Sequence, residues 1–146
     1  MHFYIRNLYK KKLIRITEQH RLTNQVRFID HCKDMALAYQ VSDIVISPSI
    51  EPEAFGRVAV EAQSMEKLII ASNIGGSNET IINEKTGFLF EAGDVHSLSK
   101  KIIQAITMDE SSLKLMGKEG RKNIIKKFNV EKMCFSTYSE YKRLVN

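Results

Sequence analysis

The run Leu68 to Ser72, LIIAS, is apolar at every position but the last and shows no alternation. A strand with one wet face alternates polar and apolar residues, whereas a strand covered on both faces does not. Such a run therefore needs helices above and below its sheet. DIVIS, Asp43 to Ser47, and GFLF, Gly87 to Phe90, have the same character, and Pro48 stops the first of them. VRFI, Val26 to Ile29, is a fourth β-prone run. Between these runs the pattern is helical over Met35 to Gln40, Gly56 to Met65 and about Asn78 to Asn83. Strand and helix in alternation predict an α/β fold, a doubly wound Rossmann-like parallel sheet, incomplete, of about four strands.

After Gly93 the pattern is helical only. Leu98, Ile102, Ala105 and Ile106 form one apolar face, and Leu113, Met116 and Ile124 a second. Val130, Met133, Tyr138, Tyr141 and Val145 form a third. The expected organisation is one partial domain over residues 1–146. Strands and helices alternate to about residue 94, and a helical tail follows over 95–146. At the other end, Tyr4 to Arg21 reads as a basic amphipathic helix with Ile5, Leu8, Leu13 and Ile16 at helical spacing.

Composition narrows the function. The chain has 146 residues, 43% hydrophobic, which suits one core. The net charge of +5 is carried by lysine clusters at Lys10 to Lys12, Lys100 and Lys101, and Lys126 and Lys127. Solvated helix faces account for most of this; attraction to phosphate or to an anionic membrane surface is the sharper alternative. Nucleic acid is not expected as a partner, because zinc-finger spacing and aromatic RNA-binding runs are missing. The isolated Cys32 and Cys134 suit a reducing compartment. The N-terminus lacks a signal-peptide pattern, and no run approaches the roughly 20 apolar residues of a membrane span. A cytoplasmic location is expected, with peripheral attachment to the inner face of the membrane left open.

The chemistry concentrates in PSIEPEAFGRVAVEAQ, Pro48 to Gln63. A strand ends at Ser47, and a turn leads through Ala54, Phe55 and Gly56 into a helix. Ligands of open α/β sheets bind at such strand ends. Unpaired amides of a helix's first turn favour a phosphate, and Gly56 leaves room for close approach. Glu53 in the loop and Glu61 on the helix can accept hydrogen bonds from vicinal hydroxyls of a sugar or ribose. Two glutamates at this spacing also arise by chance; the strand, Pro48 and the AFG turn favour a site. A second strand-to-helix turn, NIGGSNETI, places Gly75 and Gly76 where amides could meet a ligand, with Ser77 or Asn78 as helix cap. Two such turns on neighbouring strands would face one cleft. The scattered histidines and the missing DxD give no indication of a metal.

These residues resemble the C-terminal domain of the large group 1 family of retaining glycosyltransferases with the GT-B fold, of the bacterial cell-envelope type. The hallmark, a Glu, seven residues and a second Glu, reads EAFGRVAVE from Glu53 to Glu61. VRFI, DIVISPS, LIIAS, IGGSNETI and TGFLFEAGD follow the family's order. The resemblance implies that Glu53 contacts the donor sugar, as the catalytic-site carboxylate. Ala54, Phe55, Gly56, Arg57, Gly75 and Gly76 would surround the sugar and diphosphate of the nucleotide-sugar donor. Glu61 would take the ribose hydroxyls, and Asp30 and His31 would sit beside the base. No cofactor or metal ion is implied, and the anomeric configuration would be retained. It further implies that the family's diphosphate-binding Arg and Lys, two strands and the acceptor-binding domain lie before Met1. A partner chain would have to supply them, and transfer by this chain alone would be negligible. The last helix, near Phe135 to Val145, would then show an apolar face. Glu66, Leu68, Asp30 and Asn78 stand where the family usually has Gly, Pro, Gly and Pro.

Overall fold

The computed structural model describes residues 2–29 and 32–145, with side chains from Tyr9 onward. Asp30, His31 and the side chains of Ile5 and Leu8 lie outside the described residues. Contacts divide the chain into two compact units, Met1–Lys33 and Asp34–Asn146.

The first unit holds helix α1, His2–Gln19. Leu13 and Ile16 of its expected apolar stripe are 50% and 41% exposed. Arg21 takes a positive φ of 57°, and the chain leaves the helix there. VRFI is not a strand: residues 26–29 have neither helix nor ladder, and Ile29 is 80% exposed. β-branched residues stabilise a strand only against a neighbour on a pleated surface. Among the described residues these four have none, so the sheet has three strands rather than about four.

The second unit is the α/β body. In chain order it contains α2 (Met35–Gln40), β1 (Ile44–Ser47), α3 (Arg57–Ser64), β2 (Leu68–Ser72), α4 (Ser77–Thr80) and β3 (Phe88–Phe90). Three longer helices follow: α5 (Val95–Ile106), α6 (Glu110–Lys127) and α7 (Val130–Val145). The strands lie in the order β1-β2-β3 and both pairings are parallel. β2 is central, and all five of its residues are buried. Its side chains divide by parity, as a pleated strand requires. Ile69 and Ala71 pack with Tyr39, Ala59, Ala62 and Ile81, towards α2 and α3. Leu68 and Ile70 pack with Phe88, Phe90, Ala105 and Met116, towards α5 and α6. Cover on both faces is the physical reason that LIIAS carries no polar alternation.

Local chemistry fixes the helix ends. Asp94 caps α5 by accepting from the amides of His96 and Ser97 at 2.8 and 3.2 Å. Asp109 caps α6 through the Ser112 amide at 2.9 Å, and the Ser111 and Ser112 hydroxyls hold its carboxyl below the usual carboxylate range. α4 differs from expectation: its N-cap is Gly76, without a side-chain cap, and Ser77 is already inside the helix. Thr80 Oγ1 instead bonds back to the Gly76 carbonyl at 3.0 Å. One carbonyl joins three helices: Thr80 O accepts from Gln63 Nε2 and Asn123 Nδ2, each at 3.1 Å.

α7 is the exception to this packing. None of its described residues is buried, and Phe135, Tyr138, Tyr141 and Leu144 are each at least 65% exposed. The expected apolar face is therefore present and uncovered among the described residues.

Candidate functional site

β1 and β2 run parallel with Ser47 opposite Ala71, so their carboxyl ends finish at the same edge of the sheet. The loop after β1 carries Glu53 and the loop after β2 carries Gly75 and Gly76. The two loops are bonded main chain to main chain, with the Gly76 amide donating to the Glu53 carbonyl at 2.8 Å. A cavity of 530 Å³ opens between them, lined by Pro52, Glu53, Ala54, Gly75, Gly76, Asn78 and Glu79. The single cleft expected of two such turns is thus formed at the end of the sheet where α/β folds bind ligands.

The glycines also serve the contact between the two loops. Gly56 and Gly75 take φ of 71° and 58°, which L side chains rarely adopt. A Cβ on Gly75 would lie 2.5 Å from the Glu53 carbonyl oxygen, and one on Gly76 would lie 2.6 Å from that of Phe55. At Gly56 it would meet the Ser77 amide at 3.3 Å. The space that a side chain would fill is taken by the opposite loop, so these glycines let two backbones touch and thereby set the width of the cleft.

Glu53 is half-buried, and its Oε1 accepts from the Ser49 hydroxyl at 2.6 Å. That bond orients the carboxylate. Glu79, in the first turn of α4, adds a second carboxylate to the rim. Two acidic groups beside main-chain amides suit a ligand rich in hydroxyls.

Glu61, Phe55, Gly56 and Arg57 do not line this cavity. Glu61 lies one helical turn beyond Arg57 on α3, and both of its carboxylate oxygens are engaged. Oε2 accepts from the Tyr39 hydroxyl at 2.9 Å, and Oε1 from Arg57 Nη2 at 3.0 Å and Nε at 3.3 Å. Burial and the neighbouring Glu61 carboxylate push the Tyr39 phenol up to about 12. Arg57 opens α3, which starts on Gly56 without a side-chain cap, so its first amides face the loop end. Phe55 turns away to meet Phe128 edge-on, with centroids 5.7 Å apart. The two aromatics border a separate apolar cavity of 640 Å³ that also touches Val130, Met133 and Phe135.

Tyr39, Ser49 and Glu79 were not singled out from sequence. Glu79 carried a readable signal, an acid in the first turn of a helix that follows a glycine turn. Tyr39 carried none, since a tyrosine on a short apolar helix reads as core. Among the described residues no group of His, Cys, Asp and Glu could hold a metal ion, and no helix is long and apolar enough to cross a membrane. Cys32 and Cys134 remain thiols.

Comparison with known proteins agrees with this architecture. A family model described as glycosyl transferases group 1 matches residues 7–123. The capsular polysaccharide biosynthesis glycosyltransferase CapM of Staphylococcus aureus is 36% identical over 104 residues, covering 71% of this chain and 27% of CapM. A glycosyltransferase of Rickettsia africae superposes with a TM-score of 0.89 at 33% identity, over 96% of this chain and 37% of that one. The Anabaena protein HepE, crystallised with UDP-glucose, superposes with a TM-score of 0.86 at 26% identity, over 94% and 37%. This chain thus spans only about a quarter to two-fifths of the length of these three proteins. Its sequence and its three-stranded parallel α/β body place it in the group 1 family of glycosyl transferases.

Proposed function

We propose that this chain forms the donor-binding part of a retaining glycosyltransferase that moves a hexose from a nucleotide diphosphate sugar to a cell-envelope glycan or lipid-linked acceptor. The observation that carries this reading is the cleft between the Glu53 and Gly75–Gly76 loops, with Glu61 beyond it on α3. Its resemblance to HepE, which was crystallised with UDP-glucose, supports a nucleotide-sugar ligand. The name of CapM supports a surface polysaccharide as product.

In this reading Glu53 accepts from the sugar hydroxyls, held by Ser49, and Glu61 accepts from the ribose hydroxyls. The amides opening α3, with Arg57, stabilise the diphosphate as its bond to the sugar anomeric carbon breaks and the acceptor oxygen takes its place. The acceptor proton leaves with the nucleotide. Fixed dipoles and a guanidinium take the role that a metal ion plays in other transferases. The acceptor-binding part comes from further polypeptide, as a partner chain or as the rest of a longer one, and the reaction runs in the cytoplasm at or near the inner membrane face.

The second reading is a non-catalytic remnant or binding module of a split or truncated glycosyltransferase. Calorimetric titration of the chain with UDP, GDP and UDP-glucose tests the donor site. Binding that weakens at least tenfold in Glu61→Ala supports it, and failure of every nucleotide to bind at millimolar concentration overturns it. A transfer assay separates the two readings, because turnover after addition of an acceptor-binding partner is incompatible with a passive module.

A further inference from the structure

Tyr39 sits in the core with 5% of its surface exposed, packed among Ala59, Ala62 and Ile69. Its hydroxyl is the one polar atom of that ring, and it donates to Glu61 Oε2 at 2.9 Å across a sequence separation of 22 residues. The two oxygens of Glu61 are therefore held unequally. The Oε2 partner is anchored in the core. The Oε1 partner, Arg57, has a side chain 83% exposed. Exposed ion pairs within one helical turn are weak and exchange readily. The Tyr39 phenol remains a protonated donor throughout the neutral range.

We propose that Tyr39 is a positioning residue for donor binding: it fixes Glu61 through Oε2, so that Oε1 can release Arg57 and accept the vicinal hydroxyls of the ribose. This rests on the reading of Glu61 as the ribose ligand. The same exchange turns the Arg57 guanidinium loose at the start of α3, where a diphosphate would meet it. A glutamate held in its bound rotamer before the ligand arrives loses less conformational freedom on binding.

The test is calorimetric titration of the full chain with UDP and with 2′,3′-dideoxy-UDP, for the natural sequence, Tyr39→Phe, Glu61→Gln and the double variant. The natural chain is expected to prefer UDP. Tyr39→Phe should weaken UDP roughly 3- to 10-fold, the range expected for freeing one side chain, and leave the dideoxy nucleotide unchanged. The double variant should bind UDP no worse than Glu61→Gln. Equal weakening of both nucleotides by Tyr39→Phe would mean a purely structural role and overturn the proposal. So would a preference reduced by Glu61→Gln but untouched by Tyr39→Phe. A preference untouched by Glu61→Gln, or no nucleotide binding at all, overturns the ribose reading and this proposal with it. Thermal unfolding of each variant, with a midpoint close to that of the natural chain, shows that the ring still packs.

Discussion

The amide of Gly76 donates to the carbonyl of Glu53 at 2.8 Å, so the loop after β2 is bonded to the loop that carries the candidate sugar ligand. The contact is possible only because neither Gly75 nor Gly76 has a Cβ. The geometry of the cleft is set by backbone, and side chains only line it.

Gly76→Ala should therefore damage stability and site together. The added methyl would lie 2.6 Å from the Phe55 carbonyl oxygen, and backbone cannot rotate aside as a side chain can. A loss of about 1–3 kcal/mol is expected, with weaker nucleotide binding. Gly93→Ala is the control: φ is +80°, yet nothing lies within 4 Å of the new atom. It should cost about 1–2 kcal/mol of backbone strain and leave binding unchanged. Urea denaturation and UDP calorimetry on both variants decide the matter. An equal drop in binding would show that loop contact does not shape the site.

Glu66 stands in the left-handed region, at φ 57°, in the turn between α3 and β2. The family resemblance drawn from the sequence implies a glycine at this position. Its side chain pairs with Arg121 at 3.8 Å, both about half exposed, and pairs of that kind contribute little. Glu66→Gly should raise stability by about 0.5–1 kcal/mol, strain relief outweighing the freer unfolded chain. A lower urea midpoint for the variant would show that the ion pair outweighs the strain.

The Tyr39 phenol, at about 12 against an ordinary 10.0, ionises later in the folded protein than in the unfolded chain. The folded state therefore binds more proton above pH 10, and stability falls as pH rises. The contribution is whole below about pH 10 and is lost as pH passes about 12. A titration of tyrosinate absorbance should show a late component that Tyr39→Phe removes and Glu61→Gln moves to lower pH.

α7 should exchange its amide hydrogens far faster than α6. α6 buries Met116, Gly117, Gly120, Asn123 and Ile124, whereas no described residue of α7 is buried. A helix of 16 residues without tertiary support is marginal in water. Exchange of the chain alone, followed by mass spectrometry, should show protection in α7 at least tenfold below that in α6. Equal protection would mean that the exposed face is covered in solution.

Sequence alone determined the element types outside Val26 to Ile29, because periodicity and apolar runs are local properties. LIIAS announced a strand covered on both faces, and the helix over Met35–Gln40 lies where the pattern placed it. EAFGRVAVE at a strand end identified the family. What tertiary structure decided is which distant groups meet. The register of Ser47 on Ala71 brings two loops into contact, and so gives Gly75 and Gly76 their reason. Tyr39 reaches Glu61 only because α2 and α3 share one face of the sheet. VRFI has strand composition but no ladder among the described residues, since hydrogen bonding to a neighbour, rather than propensity, makes a strand. Periodicity cannot encode these pairings, because each depends on chain segments about 20 residues or more apart being packed against a common sheet.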